Sequence, residues 1–151
     1  MNEDIVNLAL TLAKEAFDAG ETPVGAVIFN TETDEILTCA RNEVVSGNDP
    51  TAHAEVIAVR KAGKLLEKYN LSGFSIFSTL EPCAMCACAI SWAQLDKVYF
   101  GAYDPKSGAV EHGPRLYDCS TCHHKPEVVG GLHEKECQKL LKDFYKELRQ
   151  K

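Results

Sequence analysis

A chain of 151 residues that is 45% hydrophobic suits a single domain with a sizeable core. No apolar run reaches membrane-spanning length, and Met1-Asn2-Glu3-Asp4 is acidic where a secretory signal would be basic, so the expectation is a cytoplasmic protein with no membrane partner. The net charge of −6 argues against a nucleic-acid partner unless the basic residues are clustered.

In chain order, Ile5, Leu8, Leu12, Ala16 and Phe17 recur at helical intervals, and Gly20 is placed to end that helix. Val24 to Phe29 is a continuous apolar run, Thr31 to Asp34 is polar turn material, and Glu35 to Ala40 returns as a second strand, which predicts a hairpin. Asp49-Pro50-Thr51 signals a helix start, and the helix from about Thr51 to Tyr69 is expected to bury Val56, Val59 and Leu66. A strand over Phe74 to Thr79, a helix from Pro82 to about Gln94 and a strand over Val98 to Ala102 form a strand-helix-strand unit that favours a parallel pair. Val128 and Val129 suit a short last strand. Leu140, Leu141, Phe144 and Leu148 stripe a terminal helix. The expected class is α/β, one domain over 1–151, with a mixed sheet of about five strands between layers of helices.

The chemistry lies in two stretches. Thr51-Ala52-His53-Ala54-Glu55 and Glu81-Pro82-Cys83-Ala84-Met85-Cys86 together supply three metal ligands, His53, Cys83 and Cys86, and one carboxylate, Glu55. Three protein ligands leave the fourth tetrahedral position of Zn²⁺ open for water, as in catalytic rather than structural sites. Cys83 and Cys86 are three apart and share one helix face, and a helix begun at Pro82 turns its N–H groups and positive end toward both sulfurs, which favours thiolates. A lone Cys-x-x-Cys with a distant His could equally be a closed structural site. Glu55 decides against that, because only a zinc-activated water needs a base beside a ligand to take its proton. Mixed nitrogen and sulfur ligands make zinc the expected metal, one per subunit.

His-x-Glu followed by Pro-Cys-x-x-Cys is the signature of zinc-dependent nucleobase deaminases, and the chain resembles the cytidine deaminase superfamily. Within it the chain is similar to the bacterial tRNA-specific adenosine deaminases. That similarity runs through Glu21 to Val27, Asn48 to Glu55, Thr79 to Cys86, Phe100 to Ala109, Thr121 to Pro126 and the terminal helix through Leu148. The resemblance implies a three-layer α/β/α cytidine-deaminase-like fold and hydrolysis of the wobble adenosine of a tRNA anticodon stem-loop to inosine. It makes Glu55 the proton shuttle, Asn42 the side-chain contact to the purine and the Ala54 backbone a second contact. It also implies candidate RNA contacts at Lys106, His123 and His124, and a homodimer. Anticodon bases are already unpaired, so extruding one costs less than from a duplex.

The acidic net charge stands against that partner, but distribution matters more than the sum. Lys135, Lys139, Lys142, Lys146, Arg149 and Lys151 gather near the C-terminus, with Lys106, Arg115 and Lys125 in the loops before them. Interleaved Glu134, Glu136, Asp143 and Glu147 fit equally well a helix that is merely solvated on that side. Two of the seven cysteines are assigned to zinc; Cys39, Cys88 and Cys137 suit core packing, and Cys119 and Cys122 lack a partner cluster for a second metal. Trp92 suits core or subunit packing better than base stacking.

Two other functions share parts of the pattern. A guanine, cytosine or nucleoside deaminase of salvage would have the same zinc site but no need of the Lys106 and His123 region. A zinc-stabilised subunit without catalysis would most simply have lost Glu55.

Overall fold

The computed structural model describes residues 1–150. Helix α1 (Glu3–Asp18) opens with Asn2, whose Oδ1 accepts the Ile5 N–H at 3.3 Å, satisfying one of the unpaired amides of the first turn. Strands β1 (Gly25–Asn30) and β2 (Ile36–Arg41) form the antiparallel hairpin that the turn residues predicted. Helix α2 (Ala54–Leu66) leads to β3 (Phe74–Leu80), α3 (Ala84–Trp92) and β4 (Lys97–Ala102). A single 3-10 turn over Leu116–Asp118 precedes the short β5 (Glu127–Val129) and the terminal α4 (Glu134–Arg149). The sheet order is β2-β1-β3-β4-β5. The β1 and β3 strands are antiparallel, and β3-β4 and β4-β5 are parallel. The expected α/β class and mixed sheet of five strands are what the chain adopts.

The continuous apolar run in β1 has a direct cause. Ala26 and Ile28 join one core with Ala58 and Ala62 of α2 and Ile90 of α3, while Val27 and Phe29 join a second core with Ile5 and Leu10 of α1 and Cys137 of α4. A strand buried on both faces cannot alternate apolar with polar. Helices α2 and α3 thus cover one face and α1 and α4 the other, giving three layers. Gly25 sits directly under α1, where an added Cβ would run into the Ala9 carbonyl.

Three boundaries differ from expectation. Helix α2 begins at Ala54, because the Asp49 carboxylate accepts the Thr51 N–H (2.9 Å) and hydroxyl (2.7 Å) and holds that segment as a turn before the helix. It ends at Leu66, and Glu67 follows with φ at 54°. Pro82 lies ahead of α3 rather than in its first turn. The core face of α2 is centred differently from expectation: Ala54, Ala58 and Ala62 are buried, the expected Val59 and Leu66 pack against that core half-buried, and Val56 is half-buried on the groove side. Small residues let α2 lie close to the sheet, which a search for large apolar side chains passes over.

Candidate active site

Antiparallel β1 and parallel β4 flank β3, and α2 and α3 both begin at one end of this strand group. His53 is the N-cap residue of α2 and Cys83 that of α3; both have extended backbone, and neither side chain caps its own helix. Their side chains are instead turned to each other. His53 Nδ1 lies 3.6 Å from Cys83 Sγ and 3.5 Å from Cys86 Sγ, and the three ligand atoms lie within 4.8 Å of one another. A tetrahedral Zn²⁺ with Zn–N near 2.05 Å and Zn–S near 2.3 Å sets N and S about 3.6 Å apart. The donor set therefore fits zinc in both element and spacing. Among the described residues it is the only His, Cys or carboxylate cluster so arranged.

The two thiols divide their protons unequally. A hydrogen bond from Cys86 holds Cys83 down to about 4, and the same contact, together with burial, drives Cys86 up. A dication held there would take both sulfurs as thiolates and displace the proton that the contact keeps on Cys86. Glu55, the second residue of α2, is 4% exposed, and burial pushes its carboxyl up to about 7. His53, Glu55 and Cys83 open on one cleft of 520 Å³, together with Asn42, Val44, Val45, Asp104 and Ser107. Phe144, Tyr145 and Leu148 bring α4 to its wall.

Asn42 lies just past β2 and is 6% exposed. Its Oδ1 accepts the Ala54 N–H at 2.8 Å. The Ala54 N–H is thus committed to Asn42, and it orients Asn42 so that the side-chain NH₂ is the group left for a ligand. Lys106 lines a depression that adjoins the cleft through Asp104, Ser107 and Tyr145 and also holds Arg149. His123 and His124 lie elsewhere, lining a separate cavity of 190 Å³ beside Trp92, and the His124 ring has Nε2 2.6 Å from the Leu95 carbonyl. The structure brings His53, Glu55, Cys83, Cys86 and Asn42 together, with Lys106 at the rim. It does not bring the His pair to the same cleft.

Several cleft residues escape sequence reasoning. Phe144 and Leu148 read as a core stripe, and Tyr145 beside them gives no separate signal. Glu21 and Glu81 are each 1% exposed and also line the cleft. The clue in the sequence is an acid beside the end of a buried strand, where a charge needs a dedicated partner.

Residues 1–102 match the family described as the cytidine and deoxycytidylate deaminase zinc-binding region. With the three-layer fold and the His-Cys-Cys centre, this defines a zinc-dependent hydrolase of the nucleobase deaminase class. The chain is 42% identical over 144 residues to the tRNA-specific adenosine deaminase of Agrobacterium fabrum, covering 95% of this chain and 93% of that one. It superposes with a TM-score of 0.90 and 41% identity on a structure from work on A-to-I editing by tRNA:A34 deaminases at the wobble position, covering 93% and 100% of the two chains. The structure of guanine deaminase from Bacillus subtilis is 43% identical, with a TM-score of 0.62 over 68% of this chain and 66% of that one. The chain belongs to the tRNA-specific adenosine deaminase family.

Proposed function

We propose that the protein deaminates the wobble adenosine of a tRNA anticodon to inosine, with Glu55 as proton shuttle and Asn42 as purine contact. The observation that carries the chemistry is the buried Glu55 carboxyl in the same cleft as His53 Nδ1 and the two cysteine sulfurs, which stand 3.5–3.6 Å from that nitrogen. The likeness to tRNA-specific adenosine deaminases over 95% of the chain supports the substrate.

Deamination forms a bond from a water oxygen to the amino-bearing ring carbon and breaks the bond from that carbon to nitrogen, releasing ammonia. Zinc held by His53, Cys83 and Cys86 supplies Lewis-acid activation of that water. Glu55 accepts the water proton, hands it to the adjacent ring nitrogen, and helps protonate the departing amine. A carboxyl with a pKa near 7 can both take and give a proton at neutral pH. Asn42, held by the Ala54 N–H, presents its NH₂ to an acceptor on the ring. Phe144 and Tyr145 offer apolar faces to an extruded base or its neighbours, and Lys106 and Arg149 stand where a phosphate would pass the rim.

We also propose that the chain is a single domain that acts as a cytoplasmic homodimer. No helix among the described residues is long and apolar enough to cross a membrane. Trp92 (79% exposed) of α3 and Tyr69 (93%), just past α2, line an apolar groove with Val56, Val59 and Ala89. Such an apolar surface is what subunit packing covers. Light scattering at twice 16.6 kDa would support it, and the monomer mass would refute it.

The deciding experiment incubates the purified protein with an anticodon stem-loop carrying adenosine at the wobble position, beside free guanine, cytosine and cytidine. Inosine in the RNA alone is the expected result. Ammonia from a free base with the RNA untouched would move the function to salvage.

A further inference from the structure

Two loops wall the cleft, and each is tied to the sheet by one buried glutamate. Glu21 lies just ahead of β1 and Glu81 just past β3, so the two sit at the same end of neighbouring antiparallel strands. Glu21 Oε1 accepts the Val45 N–H at 2.9 Å, and its Oε2 accepts the Ser46 N–H at 2.7 Å. That loop runs from Asn42 to His53, so both of its ends are site residues. Glu81 Oε1 takes the Asp104 N–H at 3.0 Å and stands 2.8 Å from His112 Nδ1. Its Oε2 takes the N–H groups of Val110 (3.2 Å), Glu111 (2.8 Å) and His112 (3.1 Å). The carboxylate is wrapped so closely that a Cβ on Gly108 would stand 2.5 Å from Glu81 Cδ. The wrapped loop carries Asp104 and Ser107 to the cleft, and Gly108 also bridges to Cys83.

We propose that Glu21 and Glu81 are positioning residues that hold the two cleft walls, Val44 to Ser46 and Asp104 to His112, at the spacing that grips the nucleotides beside the target base. This rests on the RNA reading above. Neither glutamate is needed for the proton transfers. The groups of the reaction stand on the first turns of α2 and α3, while the walls stand on loops that, among the described residues, are tied to the strand ends by these two carboxylates. An ionised carboxylate only accepts hydrogen bonds, and each oxygen here faces donors from the loop. Replacing one oxygen by NH₂ sets donor against donor at nearly unchanged volume, and the wall is released. A released wall weakens the hold on flanking nucleotides more than it slows the reaction on a base already seated.

The test uses full-length, zinc-loaded Glu21→Gln and Glu81→Gln. Amide hydrogen exchange should rise over 43–49 only in Glu21→Gln and over 104–112 only in Glu81→Gln, with zinc content retained. On the anticodon stem-loop, KM should rise about tenfold while kcat changes by less than about threefold. Unchanged exchange in both loops would overturn the proposal, and so would a fall in kcat at constant KM. Should Glu81→Gln not fold, His112→Ala removes one donor from the same cage and must show the same pattern over 104–112, or the Glu81 half of the proposal fails. The unsubstituted protein on the stem-loop decides the RNA reading by itself, and the exchange data decide the clamps whatever that result.

Discussion

Three glutamates in this protein are buried to 4% exposure or less, and they are put to opposite uses. Glu55, on the first turn of α2, is driven up to about 7 by burial. Glu21 and Glu81 are as little exposed but lie less deep in the protein, and hydrogen bonds from Val45 and Ser46 in one case, and from Asp104, His112, Glu111 and Val110 in the other, outweigh their burial and hold them below the usual carboxylate value. Burial alone does not say what a carboxylate does. Depth and donors together do: a carboxylate near the surface with its lone pairs committed is an anchor, and one sunk deeper among few donors stays ready to exchange a proton.

The strongest way to test the contrast is at the metal and at the Glu55 carboxyl. Cys86→Ser should lose zinc and all measurable turnover, read by metal analysis and the inosine assay. Glu55→Gln should keep zinc and fold but lose roughly 10²–10⁴-fold in kcat, the range for a lost proton carrier. Full activity in Glu55→Gln would remove the shuttle and with it the distinction between the two kinds of glutamate.

Stability against pH separates them next. Glu21 has its folded pKa below the unfolded one, so it contributes stability that is present above about 4.5 and lost as pH falls through its folded value. Glu55 has its folded pKa above the unfolded one, so in metal-stripped protein its contribution is complete below about 4.5 and is lost as pH rises through about 7. Urea midpoints across that range should show Glu21→Gln flattening the acid side of the profile and Glu55→Gln flattening the neutral side. In the zinc-loaded protein at pH 7, Glu81→Gln should destabilise by about 3 kcal/mol and Glu21→Gln by less, since charge-assisted hydrogen bonds contribute roughly 1.5–3 kcal/mol each and Glu81 has more of them.

The contrast also explains what the sequence made legible. His53, Glu55, Cys83 and Cys86 could be read because their chemistry demands fixed residue types at fixed spacing on two helix starts. The strands and their order of appearance were readable from apolar runs and turn residues. The partners of Glu21 and Glu81 were not, because backbone N–H groups carry no sequence label and the loops meet the carboxylates across 23 to 31 positions of chain. Phe144 and Leu148 misled for another reason, since a helix stripe looks the same whether it faces a core or the mouth of a cleft.

The smallest effect extends the contrast to cations. Lys125, though exposed, resembles Glu81 in having its charge committed to the chain itself, because its Nζ donates to the carbonyls of Tyr117 and Cys119. Lys106 makes no side-chain bond among the described residues and stands at the cleft rim beside Arg149. Each phosphate contact on single-stranded nucleic acid releases counterions and adds about 0.7 to the slope of log affinity against log salt. Lys106→Ala should therefore lower the salt slope of stem-loop binding by about that amount with no change in unfolding midpoint. Lys125→Ala should lower the midpoint and leave the slope alone. If the slope instead falls for Lys125→Ala and not for Lys106→Ala, the RNA passes over the Trp92 side of the molecule, and the rim formed by Asp104, Ser107 and Tyr145 is not its path.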